Sequence, residues 1–145
     1  LNNLMGGRLL HWMDIAAAIT AHSHCNRTCV TAAVNNVSFE NPIPRGSIVT
    51  LEANISRAFS SSMEIFIDVW IEDKLSGNKT KCNEAIYTFV AVDIMGKPTK
   101  VAEVNPETEL EKIRFDGALR RRQLSLILAG KLKANDASEL KALFQ

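Results

Sequence analysis

The sequence predicts an α+β fold, in which an antiparallel β-sheet wraps around one long central α-helix. Three observations predict this fold. A segment near the amino terminus is apolar on almost every side of a helix, and four runs with period-two alternation follow it. A charged helical segment comes after them. With 145 residues, the chain is long enough for one compact domain with its own core.

The apolar helix is predicted over residues 8–22. Leucine, isoleucine, alanine, tryptophan and methionine fill most of its positions, which is typical of a buried helix rather than a surface helix. The segment is too short to span a membrane. Its several alanines indicate close packing against a flat surface such as a sheet.

Four β-strands are predicted after this helix. Alternation is clearest in the third, where Met63 and Ile65 point to one face while Glu64 and Asp68 point to the other. In the fourth, the even-numbered apolar residues from Ile86 to Ile94 share one face. The strands are predicted at residues 28–39, 47–59, 63–71 and 84–94, with turn-forming residues between them.

A charged helix is predicted over residues 107–131, with an interruption at Gly117. After it, Asn135 and Asp136 can cap a last short helix that ends near Phe144. No linker or internal repeat divides the chain. We therefore expect a single domain over residues 1–133 and a tail over residues 134–145.

The composition excludes several classes of protein. Lysine and arginine number 17 and the acidic residues 16, so the formal net charge of +1 argues against a dedicated nucleic-acid-binding protein. No apolar run reaches the ~18 residues of a membrane span and no secretion signal is visible, so we expect a cytoplasmic protein. The three cysteines, Cys25, Cys29 and Cys82, fit neither a disulfide framework nor a zinc pattern, so no metal is expected.

Asp14 is the one acidic residue within the apolar helix. One interpretation is structural, with the carboxylate facing solvent or pairing with Arg8. The other is functional, with Asp14 lining a cavity as a base or nucleophile. Gly6 and Gly7 favour the second, because backbone N–H groups at a helix start bind a ligand oxygen. A base together with an oxyanion hole suits attack on a carbonyl group.

Two further groups of residues allow two interpretations each. His11 stands three residues before Asp14 and could pair with it for dehydration chemistry, but a local hydrogen bond at the helix edge is favoured. The basic run Arg120–Arg122 is either a solvated helix face, which is favoured, or a site for a phosphorylated ligand.

Five segments, taken in order along the chain, form a set of motifs that is typical of one family. They are NLMGGRLLHWMDIAA at residues 3–17, VNNVSF at 34–39, SSME at 61–64, TFVAVD at 88–93 and GKP at 96–98. With these motifs the chain resembles the hotdog-fold acyl-CoA thioesterases of the acyl-CoA hydrolase type. The resemblance covers about residues 3–131.

The resemblance implies a hotdog fold and an active site at the interface of a homodimer, with trimers of dimers as a common further assembly. By motif position, Asp14 matches the acidic residue that acts as base or nucleophile. Asn3 matches an asparagine that the other subunit contributes, and Gly7 matches the helix start whose N–H polarises the thioester carbonyl.

The resemblance also implies a groove between subunits for coenzyme A, which is part of the substrate and product rather than a bound cofactor. Arg57, Ser61, Ser62 and Lys97 are the candidates for binding it, and Arg121 is a weaker one. The implied reaction converts acyl-CoA and water to a carboxylic acid and coenzyme A.

Two alternatives to hydrolysis stay open at this point. One is a hotdog hydratase or dehydratase of 3-hydroxyacyl thioesters, which only His11 favours. The other is an acyl-CoA-binding module without catalysis, because a fold does not fix a function.

Overall fold

The computed structural model describes residues 2–39 and 41–143 of the chain. These residues form two compact units, Leu1–Glu103 and Val104–Gln145. The first unit contains, in order, α1 (Gly6–Cys25), β1 (Thr28–Asn35), β2 (Ile48–Ala58), β3 (Ser62–Glu72) and β4 (Lys79–Val92). The second contains α2 (Glu109–Leu128), a 3₁₀ turn (Ala134–Asp136) and α3 (Ser138–Ala142).

The four strands form one antiparallel sheet in the order β1-β4-β3-β2. Ser62 lies opposite Val90, and Thr28 lies opposite Val92, so β1 and β3 begin at the end where β2 and β4 stop. We name this the Thr28 end of the sheet. The opposite end, where β1 stops and β2 begins, is the Asn35 end.

Helix α1 packs on one face of the sheet and contacts all four strands. Apolar residues alternate along each central strand, so every second side chain points towards the helix and excludes water. The predicted α+β fold is confirmed. The core is formed by Leu9, Met13, Ala17 and Ala21 of α1 with Met63, Ile65, Ile67, Val69, Ala85, Tyr87, Phe89 and Ala91 of the sheet.

The predicted helix over residues 8–22 extends further at both ends. The expectation that it is buried on all sides is wrong for a single chain, because one sheet covers only one stripe of a helix. Trp12, Ile15 and Ile19 remain 37%, 45% and 62% exposed. Ala17 and Ala21 are fully buried, as close packing on a sheet requires.

The strands follow the predicted runs, but β1 ends at Asn35 rather than residue 39, and β4 shows two further differences. β4 begins at Lys79 rather than residue 84, because polar residues pair there with the end of β3. The even-numbered apolar residues of β4 do share a face, but the core against α1 uses the odd-numbered ones, such as Tyr87 and Phe89.

In the second unit, α2 runs without a break through Gly117, so the predicted interruption is wrong. One glycine costs a helix only about 1 kcal/mol, and a capping box between Thr108 and Glu111 fixes the helix start. The Arg121 guanidinium lies close to where a Cβ at Gly117 would be.

The end of the second unit differs in detail from the sequence prediction. Asn135 and Asp136 lie in the 3₁₀ turn, and the side chain of Gln123 caps α3 by accepting hydrogen bonds from two of its N–H groups, both at 3.1 Å. Phe144 lies outside the described residues. The predicted domain limits at residues 133 and 134 stay a prediction.

Among residues 2–39 and 41–143, there is no helix whose length and apolarity would suffice to cross a bilayer.

Candidate active site

Asp14 lies in the middle of α1, directly after the fully buried Met13, and is itself half-buried. The hydroxyl of Thr31 on β1 donates a hydrogen bond of 2.9 Å to its Oδ1 atom. Within the described residues, no ion pair joins Asp14 to Arg8. The structure therefore gives the carboxylate a neutral donor on the neighbouring strand.

Tyr87 links the part of α1 around Asp14 to the sheet through a hydrogen bond. It is 1% exposed, and its hydroxyl donates a hydrogen bond of 3.1 Å to the carbonyl of Leu10, one helical turn before Asp14. Burial raises the pKa of Tyr87 to about 12, and the negative charge of Asp14 contributes further to the rise. Tyr87 is therefore a neutral hydrogen-bond donor throughout the physiological pH range.

The start of α1 carries two backbone donors without an acceptor. Arg8 and Leu9 donate to the carbonyl of Met5 at 3.1 and 3.2 Å. For the N–H groups of Gly6 and Gly7, no acceptor exists within the part of the chain that the structure describes. Because a helix start is also its positive pole, these groups suit an anionic or strongly polarised oxygen.

The two glycines have different surroundings. A Cβ atom at Gly6 would lie 3.2 Å from Cε1 of Phe39, a close contact that requires the ring to shift. A Cβ atom at Gly7 would meet nothing within 4 Å. Gly7 is also exposed, so a ligand can approach the backbone there in the single chain.

Asn3 lies close to this helix start, at the Asn35 end of the sheet. It is exposed and forms an isolated antiparallel bridge with Pro44. Asn3 and Gly6 both line a cavity of about 260 Å³, together with Phe39 and Asn83. The structure brings Asn3 near the N–H groups of α1, but no hydrogen bond joins it to Asp14 among the described residues.

The four residues predicted to bind coenzyme A lie together at the Thr28 end. The guanidinium of Arg57 lies 5.9 Å from the centre of the Phe59 ring. Ser61 accepts a backbone hydrogen bond of 2.9 Å from Ala91, and Ser62 is buried at the start of β3. Lys97 is exposed, in a turn that follows β4.

One chain does not bring these four residues to the free N–H groups of α1. The helix has 20 residues and is about 30 Å long. Gly7 lies at the Asn35 end, where Gly6 packs on Phe39 just after β1, whereas the four candidates lie at the other end.

Two candidates remain, His11 and Arg121. His11 is exposed, and no hydrogen bond between it and Asp14 exists in the described segments. Arg121 belongs to the second unit, where its guanidinium donates to the carbonyl of Arg114 at 3.5 Å.

Sequence reasoning missed Thr31 and Tyr87. Thr31 stands in an ordinary alternating strand, and Tyr87 is one of many apolar strand residues, so neither carries a local signal. Only the pairing of β1 with β4, and the packing of α1 across both, places them beside Asp14.

Comparison with known proteins decides the family. The family model of the thioesterase superfamily matches residues 1–77, which is more than half of the chain. The chain belongs to this superfamily. The predicted relationship to hotdog-fold acyl-CoA thioesterases is confirmed, and so is the expectation of a thioester hydrolase.

Relatives agree with this assignment. The chain is 39% identical over 120 residues to the uncharacterized acyl-CoA thioester hydrolase YkhA of Bacillus subtilis, covering 83% of this chain and 70% of that protein. It is 37% identical over 123 residues to the acetyl-coenzyme A thioesterase of Mus musculus, covering 85% of this chain but only 22% of the mouse protein.

Solved structures share the fold. An apo-hexameric acyl-CoA thioesterase superposes with a TM-score of 0.85 at 35% identity, covering 89% of this chain and 83% of that chain. The acyl-CoA hydrolase of Staphylococcus aureus, in complex with butyryl coenzyme A, coenzyme A and coenzyme A disulfide, superposes with a TM-score of 0.81 at 33% identity. That alignment covers 99% of this chain and 85% of the S. aureus chain.

Proposed function

We propose that this protein hydrolyses acyl-CoA to a carboxylic acid and coenzyme A, with Asp14 as the reacting carboxylate. The observation that carries this proposal is the hydrogen bond between Thr31 and Asp14, in the middle of an apolar helix whose first N–H groups have no acceptor among the described residues. A half-buried carboxylate with a fixed neutral donor has one oxygen oriented and the other available for reaction.

The spacing of substituted residues in a relative supports the choice of Asp14 and Thr31. Two solved structures of the S. aureus hydrolase carry alanine in place of an aspartate and of a threonine that stand 17 positions apart. Asp14 and Thr31 have the same separation. A third structure carries alanine in place of an asparagine 15 positions before that aspartate, whereas Asn3 precedes Asp14 by 11. The role of Asn3 therefore stays a prediction that this spacing does not support.

The N–H groups at the start of α1 are the proposed oxyanion hole. As a nucleophile adds to the thioester carbonyl, negative charge develops on its oxygen, and donors already in place stabilise it without reorganisation. One such donor contributes about 3 kcal/mol to transition-state stabilisation in other enzymes. Gly7 is the better candidate because the space above it is open.

Helix geometry supports a site that two copies of the chain complete together. Asp14 stands seven positions after Gly7, which is a rise of about 10 Å along the helix. A carbonyl held by the Gly7 N–H therefore lies out of reach of Asp14 on the same helix, because reacting atoms approach within about 3.5 Å. The interpretation that one helix supplies both groups is thus replaced by a site in which each chain supplies one.

The surface of the first unit favours such a pairing. Among the described residues, β1 pairs with β4 and with no other strand, so it is an edge strand, and Val30 and Val34 on it are exposed. Helix α1 also exposes Trp12, Ile15 and Ile19. An uncovered edge and an exposed apolar helix face are surfaces that a second copy can cover.

Antiparallel pairing of two β1 strands would bring together the parts that one chain keeps apart. It places the Thr28 end of one chain beside the Asn35 end of its partner. Arg57, Ser61, Ser62 and Lys97 then approach the helix start of the other chain, where they are proposed to bind coenzyme A. A dimer is the proposed minimum active unit, and the hexameric state of relatives supports a trimer of dimers.

The chemical step can follow two routes, and both stay open. In the first, Asp14 takes a proton from water as the water oxygen adds to the carbonyl carbon, and collapse of the intermediate expels the thiolate of coenzyme A, which is then protonated. In the second, Asp14 attacks the carbonyl directly and expels the thiolate, and water then hydrolyses the mixed anhydride. Neither route uses a metal or redox cofactor.

Release of free thiol from short-, medium- and long-chain acyl-CoA tests the proposal. Asp14→Asn keeps the size of the side chain and is expected to lower the rate at least a thousandfold, whereas His11→Ala is expected to change it less than threefold. No thiol release from any substrate, together with dehydration of a 3-hydroxyacyl-CoA that is lost with His11→Ala, would favour the hydratase. Binding of coenzyme A without thiol release from any substrate would favour the binding module.

A further inference from the structure

Outside the proposed active site, two cysteine side chains lie in contact. Cys25 is the last residue of α1 and Cys29 is the second residue of β1, and both are half-buried. Their Sγ atoms are 2.8 Å apart. The third cysteine, Cys82, is buried in β4, where its thiol donates to the carbonyl of Val69.

The chain turn between α1 and β1 creates this contact. Asn26 ends the helix in the left-handed conformation, with φ 51° and ψ 33°, and its N–H donates to the carbonyl of His22 at 2.8 Å. Asparagine tolerates this conformation better than most residues. The turn reverses the chain within two residues, so the strand begins directly beside the last turn of the helix.

The geometry of the pair is close to that of a disulfide. A disulfide bond is about 2.05 Å long, so the sulfur atoms need to approach by less than 1 Å. Among the described residues, both thiols also make weak contacts with the carbonyl of Arg27, at 3.6 Å from Cys25 and 3.4 Å from Cys29. Forming a bond between the sulfur atoms therefore breaks no strong interaction.

We propose that Cys25 and Cys29 form a reversible intramolecular disulfide that ties the end of α1 to the start of β1. The oxidants are hydrogen peroxide or a low-molecular-weight disulfide. With peroxide, one thiolate attacks an oxygen to give a sulfenic acid and water, and the second thiol displaces a second water. With a disulfide, the two cysteines are oxidised, two electrons pass to the small disulfide, and two small thiols leave.

The surroundings of Cys29 lower the rate of this reaction near neutral pH. Burial raises the pKa of its thiol to about 12, and the hydrogen bond and the charge of Cys25 add to the rise. Because the thiolate is the reactive form, Cys29 attacks slowly near neutral pH. We expect bridging to take place slowly at pH 7 and faster as the pH rises.

Tryptic mapping of the oxidised protein tests this proposal, because cleavage after Arg27 places Cys25 and Cys29 in different peptides. Reduced protein is treated with hydrogen peroxide or oxidised glutathione, alkylated and digested. We expect residues 9–27 linked to residues 28–45, full loss of the link after dithiothreitol, and Cys82 recovered as an alkylated thiol. Cys82→Ala is the matched control and should give the same linked peptide.

The variants Cys25→Ser and Cys29→Ser should give no linked peptide, and oxidation should raise the melting temperature of the wild type but not of these variants. Three results would overturn the proposal. These are recovery of both cysteines as free thiols after oxidant treatment, oxidation of each without a bridge, or a bridge that joins two chains, seen as a dimer band on a non-reducing gel.

Discussion

The hydroxyl of Thr31 lies 2.9 Å from the carboxylate of Asp14 and joins the edge strand β1 to the central helix. A hydrogen bond to an ionised group contributes more than one between neutral groups, and this one also fixes the direction of the free carboxylate oxygen. The proposed chemistry depends on that direction.

Removing the Thr31 hydroxyl should therefore affect catalysis more than folding. Thr31→Val keeps the shape of the side chain and should lower kcat by roughly ten- to a hundredfold, the equivalent of ~1.5–3 kcal/mol. Thr31→Ser keeps the donor and should stay within a few-fold of the wild type. Steady-state thiol release measures both. Loss of activity in Thr31→Ser but not in Thr31→Val would mean that the methyl group, and not the hydroxyl, matters.

Gly6 and Gly7 should respond in opposite ways to the same substitution. Gly6→Ala places a Cβ atom 3.2 Å from the ring of Phe39 and should lower the melting temperature. Gly7→Ala meets open space in the single chain and should leave the melting temperature unchanged or slightly higher, since alanine favours helix.

The activity of the Gly7 variant separates folding from function. If the thioester approaches the Gly7 N–H, the added methyl group should lower kcat/KM about tenfold or more in a fully folded protein. Unchanged kinetics in Gly7→Ala would show that no substrate passes over this residue.

Tyr87 should make the protein sensitive to alkaline pH. Its folded-state pKa of about 12 lies above the ordinary value of 10, so the folded state holds this proton more tightly than the unfolded state. The contribution of this pKa difference to the free energy of unfolding is fully present below pH 10 and is lost as the pH rises towards 12. Tyr87→Phe should remove this part of the pH dependence in urea denaturation and cost about 1 kcal/mol at pH 7 through the lost bond to Leu10. An identical alkaline profile in the variant would contradict the assignment.

A charge on the uncovered edge should separate the proposed dimer. Val34 is 43% exposed on β1, so Val34→Lys should leave the chain folded while it disfavours pairing of two edges. Sedimentation should then show monomers, and thiol release should fall to background. Val34→Ile is the matched control. A fully active monomer would mean that one chain holds a complete site.

The sequence predicted those parts of the molecule that depend on local pattern. Asp14 was identifiable because a carboxylate is unusual in an apolar helix, and Gly7 because a ligand-binding helix start has free N–H groups. The core faces of β2 and β3 followed from alternation, which has the same period as the strand itself.

The missed features depend on contacts between distant segments. Glu64 and Asp68 alternate with core residues and were expected only to face away from them, yet both are 5% exposed. Ser56 donates to Glu64 at 2.6 Å, and Lys81 forms an ion pair with Asp68 at 2.7 Å. Strand register creates these partners, and no local pattern encodes it.

The placement of the residues predicted to bind coenzyme A also depends on contacts between distant segments. Arg57 and Lys97 are 40 residues apart in the sequence, yet the sheet puts both at its Thr28 end. The motif could not reveal that this end lies about one helix length from Gly7.

Complementation between two inactive variants tests most directly whether each site needs two chains. Asp14→Asn removes the carboxylate, and Gly7→Pro removes the N–H in the first helical turn, where proline is tolerated. The two chains are co-expressed with different tags, and the mixed dimers are isolated after each homodimer is shown to be folded and inactive. Suppose that each site takes Asp14 from one chain and the Gly7 N–H from the other. One site of every mixed dimer then has both groups intact, so the activity should return to about half that of the wild type. Mixed dimers that remain inactive would show that one chain supplies both groups and would contradict the account.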